Sequence, residues 1–471
     1  MNSSKLLGAF ALASLVVGGC GSRSLPVANN DTVVTLGSAA TVKVFAFGDL
    51  KLTYPSTLGL KLAAPDPTSA DGSTITLLTA EYQRDLQART VEAGTTFADY
   101  AWATIGRDPE RYLRLSADRS EMTEEDVNFG TGSGFVVTSD GSIVTCQHCV
   151  DGGPQPGYIS RSLLTGFLNA ITTQVGGAPS DAVMAKSIQP IYDYLSRSVQ
   201  AESIFREARV LIPQVPRDFN GYDQLASEDT DNPLLTSLLP SSSALIRKWT
   251  WPATITASGQ GWPGKDVAVI KIQATNLFTI PVSDGPAPRP DSTVLCLGFP
   301  GKAVQQGSMT KTAQFRVILH SGKVGQVLPT TSGFDAIHTD ADINHGDSGG
   351  PALSEEGLVV GLSVSGQEDA PGQNYLVPAS VIRERMAEAG LRPEVDELNA
   401  QWKEGLLLLQ AKQYGRAKSI FESLRKKQDK DLTDDPSYEN STAPNRNLPN
   451  PINFFLDRAI KDCENGLKLR Q

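Results

Sequence analysis

The chain has 471 residues and a formal net charge of −10, from 42 Lys plus Arg against 52 Asp plus Glu. With 40% apolar and 20% charged residues it is too apolar for a wholly disordered polypeptide, and it lacks the basic excess that a nucleic-acid binder uses to neutralise phosphates. Five cysteines are too few for a disulfide scaffold, no apolar run reaches the roughly 18 residues of a membrane-spanning helix, and 42 Gly with 29 Pro predict many turns and a β-rich part.

Residues 1–20 read as an export signal. Lys5 supplies the positive start, residues 6–17 are apolar but too short to span a bilayer, and small residues lead to Cys20. The run Val17-Gly18-Gly19-Cys20 resembles a bacterial lipobox, which makes Cys20 the expected site of lipidation and the lipid the only expected membrane attachment. An ordinary secretory signal with an incidental cysteine is the alternative. Residues 21–120 give mixed signals. Residues 41–47 and 59–62 alternate like half-buried strands, residues 64–72 are a turn-rich loop, and either a small β-rich domain or partly a loose stalk is expected here.

The texture changes near residue 121. Residues 130–137 and 143–145 read as two strands joined by the Asp140-Gly141 turn, and further strands are expected at 266–272, 293–298 and 357–364. Short strands split by Gly and Pro predict a barrel or sandwich rather than a parallel α/β sheet. Residues 152–251 interrupt them. Met184, Ile188, Ile191, Leu195 and Val199 form a helical stripe that Pro190 would kink or cap, and residues 163–175 offer a second helix, so this stretch reads as a partly helical insertion. Residues 393–471 are a separate helical region. Gly405, Leu408, Tyr414, Ala417 and Phe421 fall at offsets resembling one tetratricopeptide repeat with its turn at Lys412-Gln413, against the plainer reading of a generic helical hairpin. One repeat cannot bury its own face, so it must lean on the rest of the protein or on a protein partner.

The strongest chemical signal is Gly-Asp-Ser-Gly-Gly-Pro at residues 346–351. Glycines around a serine permit a sharp turn that aims the Gly346 and Ser348 N–H groups at one point, an oxyanion hole. All four histidines (His148, His320, His338 and His345) precede Ser348, which excludes the α/β-hydrolase order and leaves His-Asp-Ser. His148 follows the predicted strand pair, and Asp266 opens an apolar strand where a buried carboxylate can orient an imidazole. Cys146 and Cys149 spell C-x-x-C around His148. No thioredoxin-like context, haem spelling or second Cys/His cluster accompanies them, so no metal is expected, and buried thiols or a local disulfide both remain open. Cys296 reads as core.

With these residues in place, residues 130–387 resemble a trypsin-fold serine peptidase of the bacterial HtrA/Deg subgroup. The matching pieces are Gly132-Ser133-Gly134-Phe135, residues 145–150, 266–271, 297–300, 339–351 and 375–379. The resemblance implies a mainly β, chymotrypsin-like double β-barrel at residues 121–392, carrying the helical insertion. It also implies His148 as general base, Asp266 as its orienter, Ser348 as nucleophile, Gly346 and Ser348 as oxyanion donors, protein or peptide substrates, and no cofactor. Asp342, His345, Val364 and Gly366 are the expected substrate-binding positions. The sequence departs from the subgroup in lacking a PDZ domain after the protease region, in its long insertion, in Asp347 where Asn is usual, and in Asp342 where a small residue is usual. No Ile-Val-Gly-Gly activation site accompanies Asp347, so a local hydrogen-bond role is expected for it. An exported serine endopeptidase is the leading expectation. A non-catalytic scaffold that uses the protease fold and the helical tail for partners is the alternative.

Overall fold

The computed structural model describes residues 25–60, 74–154, 157–212, 250–300, 316–364, 374–392, 396–434 and 451–469. The export signal with Cys20, the 64–72 loop and Gly366 lie outside them. The chain enters through α1 (Asn30–Ala40), whose first turn is capped by the Asn29 side chain accepting from Thr32 N, and continues into β1 (Thr41–Pro55). Next come β2 (Leu58–Leu60), α2 (Thr74–Gln87), α3 (Phe97–Arg107), α4 (Pro109–Tyr112), β3 (Leu113–Leu115), β4 (Arg119–Thr138), β5 (Ser142–Thr145) and β6 (Gly153–Pro154). The helices α5 (Arg161–Val175) and α6 (Asp181–Ser196) precede β7 (Gln200–Leu211), β8 (Trp251–Ser258) and β9 (Ala268–Ile272). The second half carries β10 (Thr293–Gly298), β11 (Ile318–Pro329), β12 (Asp335–Thr339), β13 (Pro351–Leu353), β14 (Val359–Val364) and β15 (Asn374–Pro378). It ends in α7 (Ala379–Glu388), α8 (Glu397–Gln410), α9 (Tyr414–Asp434) and α10 (Pro451–Lys468).

Two antiparallel barrels result. In the first, β1, β4, β5, β9, β8 and β7 pair in that order and β1 closes back onto β7, with β6 added outside. In the second, β10, β11, β12, β15, β14 and β13 close the ring. The Asp-Gly turn forms as expected: Gly141 takes φ +99° between β4 and β5, setting Phe135 opposite Val144 and Gly134 opposite Thr145. Apolar side chains of both barrels, among them Phe135, Val144, Val267, Leu297, Leu353 and Leu362, meet in one buried cluster. That shared cluster fixes one barrel against the other and so fixes the cleft where the loops meet.

The expected N-terminal boundary at residue 120 is corrected. It runs through β4, and β1 is not part of a separate β-rich unit but a strand of the first barrel, between β4 and β7. The insertion is also narrower than 152–251, because β7 within that range is a barrel strand. Its helices do not project alone. They pack with α2 and α3 into one helical layer whose buried core includes Leu50 and Leu52 of β1, Trp102, Ile105, Phe167, Ile171, Ile188 and Ile191. Contact is closest where a Cβ added at Gly106 would lie 2.7 Å from Ser187 Cα. Pro190 is accommodated inside α6, which runs unbroken across it.

The C-terminal hairpin forms as expected, turning at Lys412 (φ +58°) and packed so tightly that a Cβ at Gly405 would meet Phe421 Cε1 at 2.3 Å. Its apolar face is taken by the first barrel. Trp402 stacks on Phe278 with ring centroids 4.6 Å apart, Thr279 N donates to Asn399 Oδ1 (2.7 Å), and Gln428 Nε2 donates to Asn276 O (3.3 Å). Gln410 also holds the start of the described chain, accepting from Asn29 N and Thr32 Oγ1 and donating to Val27 O. Among the described residues no helix is long and apolar enough to cross a membrane.

Candidate active site

The first barrel presents an imidazole and a carboxylate. β5 ends at Thr145 and the chain makes a single 3-10 turn, Gln147–Cys149. Residues three apart in such a turn lie on one side, so Cys146 and Cys149 both face inward and are buried, while His148 between them has 42% of its side chain exposed. Asp266 sits in the loop just before β9 and is fully buried. Its two oxygens hold the same residue twice: Oδ1 accepts from His148 N (3.0 Å), and Oδ2 lies 2.6 Å from His148 Nδ1. A proton on Nδ1 directed at the carboxylate leaves the Nε2 lone pair as the basic site. Burial of the ring works to lower its pKa, but the Cys149 sulfur and the Asp266 carboxylate outweigh it and hold His148 well above the ordinary imidazole value.

The second barrel presents the serine. Between β12 and β13 the chain makes two successive turns. Asp347 N donates to Asn344 O (2.9 Å) with Gly346 at φ +100°, and Gly350 N donates to Asp347 O (2.9 Å) with Gly349 at φ +89°. A positive φ at the third position of such a turn is accessible to glycine at little cost, which accounts for the glycines on both sides of Ser348. Gly349 N donates to Ser363 O and Ser363 N to Gly350 O, tying the turns to β14.

Ser133 of β4 joins the halves. Its N donates to Ser348 O (2.7 Å), its Oγ donates to Gly346 O (2.6 Å) and accepts from Phe299 N (3.0 Å), and its carbonyl accepts from Thr145 Oγ1 (2.7 Å). The backbones come so close that a Cβ at Gly349 would lie 2.0 Å from Ser133 O, and one at Gly132 would lie 2.3 Å from Cys149 Sγ. Cys149 Sγ in turn donates to Ser348 O (3.5 Å), so the residue after the imidazole touches the residue carrying the hydroxyl.

Residues 236–362 match the family described as trypsin-like peptidase domain. Over 124 residues the chain is 33% identical to the serine endoprotease DegS of Haemophilus influenzae, covering 25% of this chain and 34% of that protein. Over 162 residues it is 28% identical to the serine protease HTRA1 of Xenopus laevis, covering 34% of each. A crystal structure of a serine endoprotease from Yersinia pestis aligns with a TM-score of 0.33 and 13% identity over 76% of this chain and 65% of that one. In sequence, the chain thus spans about a third of the length of the curated relatives it matches. Asp266 and Ser348 lie within the matched family segment. His148 lies upstream of it, joined to Asp266 in space.

The structure treats the remaining expected site residues unequally. Asp342 and His345 are exposed on the loop preceding Ser348. The Val364 side chain is buried at the end of β14, opposite Tyr375. Asp347 has a local hydrogen bond, Oδ2 accepting from Asn344 N (2.9 Å). The four described cysteines are buried free thiols, which resolves the thiol-or-disulfide alternative at Cys146 and Cys149. Ligand atoms of Cys146, His148 and Cys149 lie within 4.8 Å of one another and could hold a metal ion. Both thiols also have protein acceptors, Ser363 O and Ser348 O. Ser133 is the residue that sequence reasoning missed. Ser133 stood inside the quoted Gly-Ser-Gly-Phe motif, where a lone hydroxyl between glycines was the available signal.

Proposed function

We propose that this chain is an exported serine endopeptidase in which His148, Asp266 and Ser348 act as base, orienter and nucleophile. The observation that carries the reading is the double grip of Asp266 on the backbone N and Nδ1 of His148, beside the turn that bears Ser348. In the mechanism, His148 Nε2 takes the Ser348 Oγ proton as the oxygen attacks a peptide carbonyl. The N–H groups of Gly346 and Ser348 receive the developing oxyanion. The imidazolium, stabilised by Asp266, then protonates the leaving amine. Water activated by the same base hydrolyses the acyl-enzyme.

The finer reading includes lipidation at Cys20 and a single tetratricopeptide-like repeat in the tail. Cys20→Ser is expected to release the protein from the membrane fraction; unchanged sedimentation with membranes contradicts the anchor. For the reaction itself, a fluorophosphonate probe is expected to label the wild type and not Ser348→Ala, whose turnover on a cleavable peptide falls by about 10⁶. Equal labelling of both contradicts the nucleophile. A folded wild type that takes no label supports the non-catalytic scaffold.

A further inference from the structure

The turn that carries Ser348 contains a buried carboxylate that the reaction itself does not use. Asp347 has only 2% of its side chain exposed. One oxygen accepts from Asn344 N, and the other has no hydrogen-bond partner. A buried carboxylate in that condition is costly unless a positive charge or a proton accompanies it. The second barrel places one candidate donor against it. His320, on β11 and opposite Cys296 of β10 in the register, has 13% of its side chain exposed, and its Nε2 lies 3.4 Å from Asp347 Oδ2. That Nε2 is likewise buried with no other hydrogen-bond partner. The oxygen facing Nε2 is Oδ2, the one that already accepts from Asn344 N, so a proton between Nε2 and Oδ2 satisfies the orphaned nitrogen and gives the buried carboxylate a charge partner, while Oδ1 keeps no hydrogen bond.

We propose that His320 is a positioning residue for the nucleophile turn, sharing one proton with Asp347 and thereby holding Gly346 and Ser348 in the geometry of the oxyanion hole. The inference rests on the assignment of Ser348 as nucleophile. Asp347 N and O are the donor and acceptor that close the two turns on either side of Ser348, so a displacement of Asp347 moves both oxyanion donors. The substitution of Asp for the Asn usual in the subgroup is then matched by a histidine across the barrel.

The titration behaviour agrees with the geometry. Burial raises the Asp347 carboxyl to about 7; the Asn344 N–H opposes this and the Asp342 charge adds to it. Burial lowers His320, with Asp342 opposing. The titratable groups facing the pair are Asp342 on the same loop and the Cys296 thiol on β10, which burial raises to about 12. Near neutral pH the pair keeps one proton between two sites. Raising the pH removes it and leaves a bare buried carboxylate facing a neutral imidazole, so the turn loosens on the alkaline side. Loss of activity on the acid side belongs to His148.

The test is a double-variant cycle read by the rate of fluorophosphonate labelling from pH 5 to 9. H320Q is expected to slow labelling tenfold or more at pH 7 with Asp347 present, and less than twofold in the D347N background, where no carboxylate remains to be partnered. The alkaline limb of the wild type is expected to disappear in D347N. In an S348A background, which needs no activity, the NMR titration of the His320 ring is expected to shift when D347N is added. Should H320Q fail to fold alone, recovery of folding in H320Q/D347N supports the pairing, and its absence overturns it. Equal losses in both backgrounds, or a His320 titration indifferent to D347N, also overturn it. A wild type that takes no label at any pH removes the nucleophile assignment itself. Normal labelling with additive losses removes only the role of His320.

Discussion

The two halves of the site are held by opposite means. In the first barrel, the base is gripped twice by one buried carboxylate, and the flanking thiols are packed inward. In the second, the serine rides on two consecutive glycine turns next to a carboxylate with an unsatisfied oxygen. The half that carries the imidazole is thus over-determined, while the half that carries the serine depends on backbone shape and on a cross-barrel bridge from Ser133. Holding a ring in one orientation and turning a backbone sharply around a serine are different requirements, and the two barrels meet them separately.

The sharpest way to break this contrast is at the over-determined half. Asp266→Asn keeps the shape but can offer an amide N–H to His148, which favours the wrong tautomer; kcat on a peptide is expected to fall by about 10⁴ with KM little changed. A fall of less than tenfold would mean that the double grip is structural only. At the turn, Gly349→Ala adds a methyl at φ +89° that collides with Ser133 O. Labelling is expected to drop by at least about 10²-fold, the scale of losing one oxyanion donor, with a lowered melting temperature. A variant labelled at the wild-type rate would show that the close approach of the two backbones is dispensable.

A third test reaches beyond the cleft. Trp402→Ala removes the ring stacked on Phe278 and is expected to cost about 3–5 kcal/mol of unfolding free energy, read by chemical denaturation. A change confined to the tail, with the first barrel's unfolding unaffected, would separate regions that the structure joins. The pH profile sharpens the same comparison. Because His148 is held above the ordinary imidazole value of 6.5, it stays protonated to higher pH and cannot accept the serine proton there. Labelling is therefore expected to rise through a midpoint above 6.5, and Asp266→Asn should move that midpoint down. The smallest effect is expected at Asp342→Ala. This carboxylate is exposed, so its loss is expected to change cleavage after Lys or Arg by no more than a few-fold in KM; an abolished preference would give it a specificity role.

Much of the site was legible because its signals are local. The Gly-Asp-Ser-Gly-Gly-Pro run dictates the two turns through glycine, the order of histidines before Ser348 excludes one catalytic architecture, and an apolar strand after Asp266 predicts a buried carboxylate. His320 was illegible because nothing in its neighbourhood along the chain differs from an ordinary strand residue; its meaning comes from a carboxylate 27 positions away, across the barrel. The N-terminal domain boundary was misplaced for a related reason. β1 alternates too little to declare which sheet it joins, and its partners are β4 and β7, the latter roughly 150 residues downstream.

By itself, then, the sequence determined the local elements: the strand-turn-strand before His148, the glycine turns at Ser348, the helix at 163–175, the helical stripe at 184–199 whose helix ends at Ser196, and the C-terminal hairpin. Each depends on periodicity or turn chemistry within a few residues. Only the tertiary structure decided that residues 74–107 and 161–196 form one helical layer, that the hairpin leans on the first barrel, that Ser133 bonds to the turn bearing Ser348, and that His320 lies beside Asp347. Those outcomes are set by which buried faces and polar groups find each other once two barrels close, and no window along the chain contains both partners.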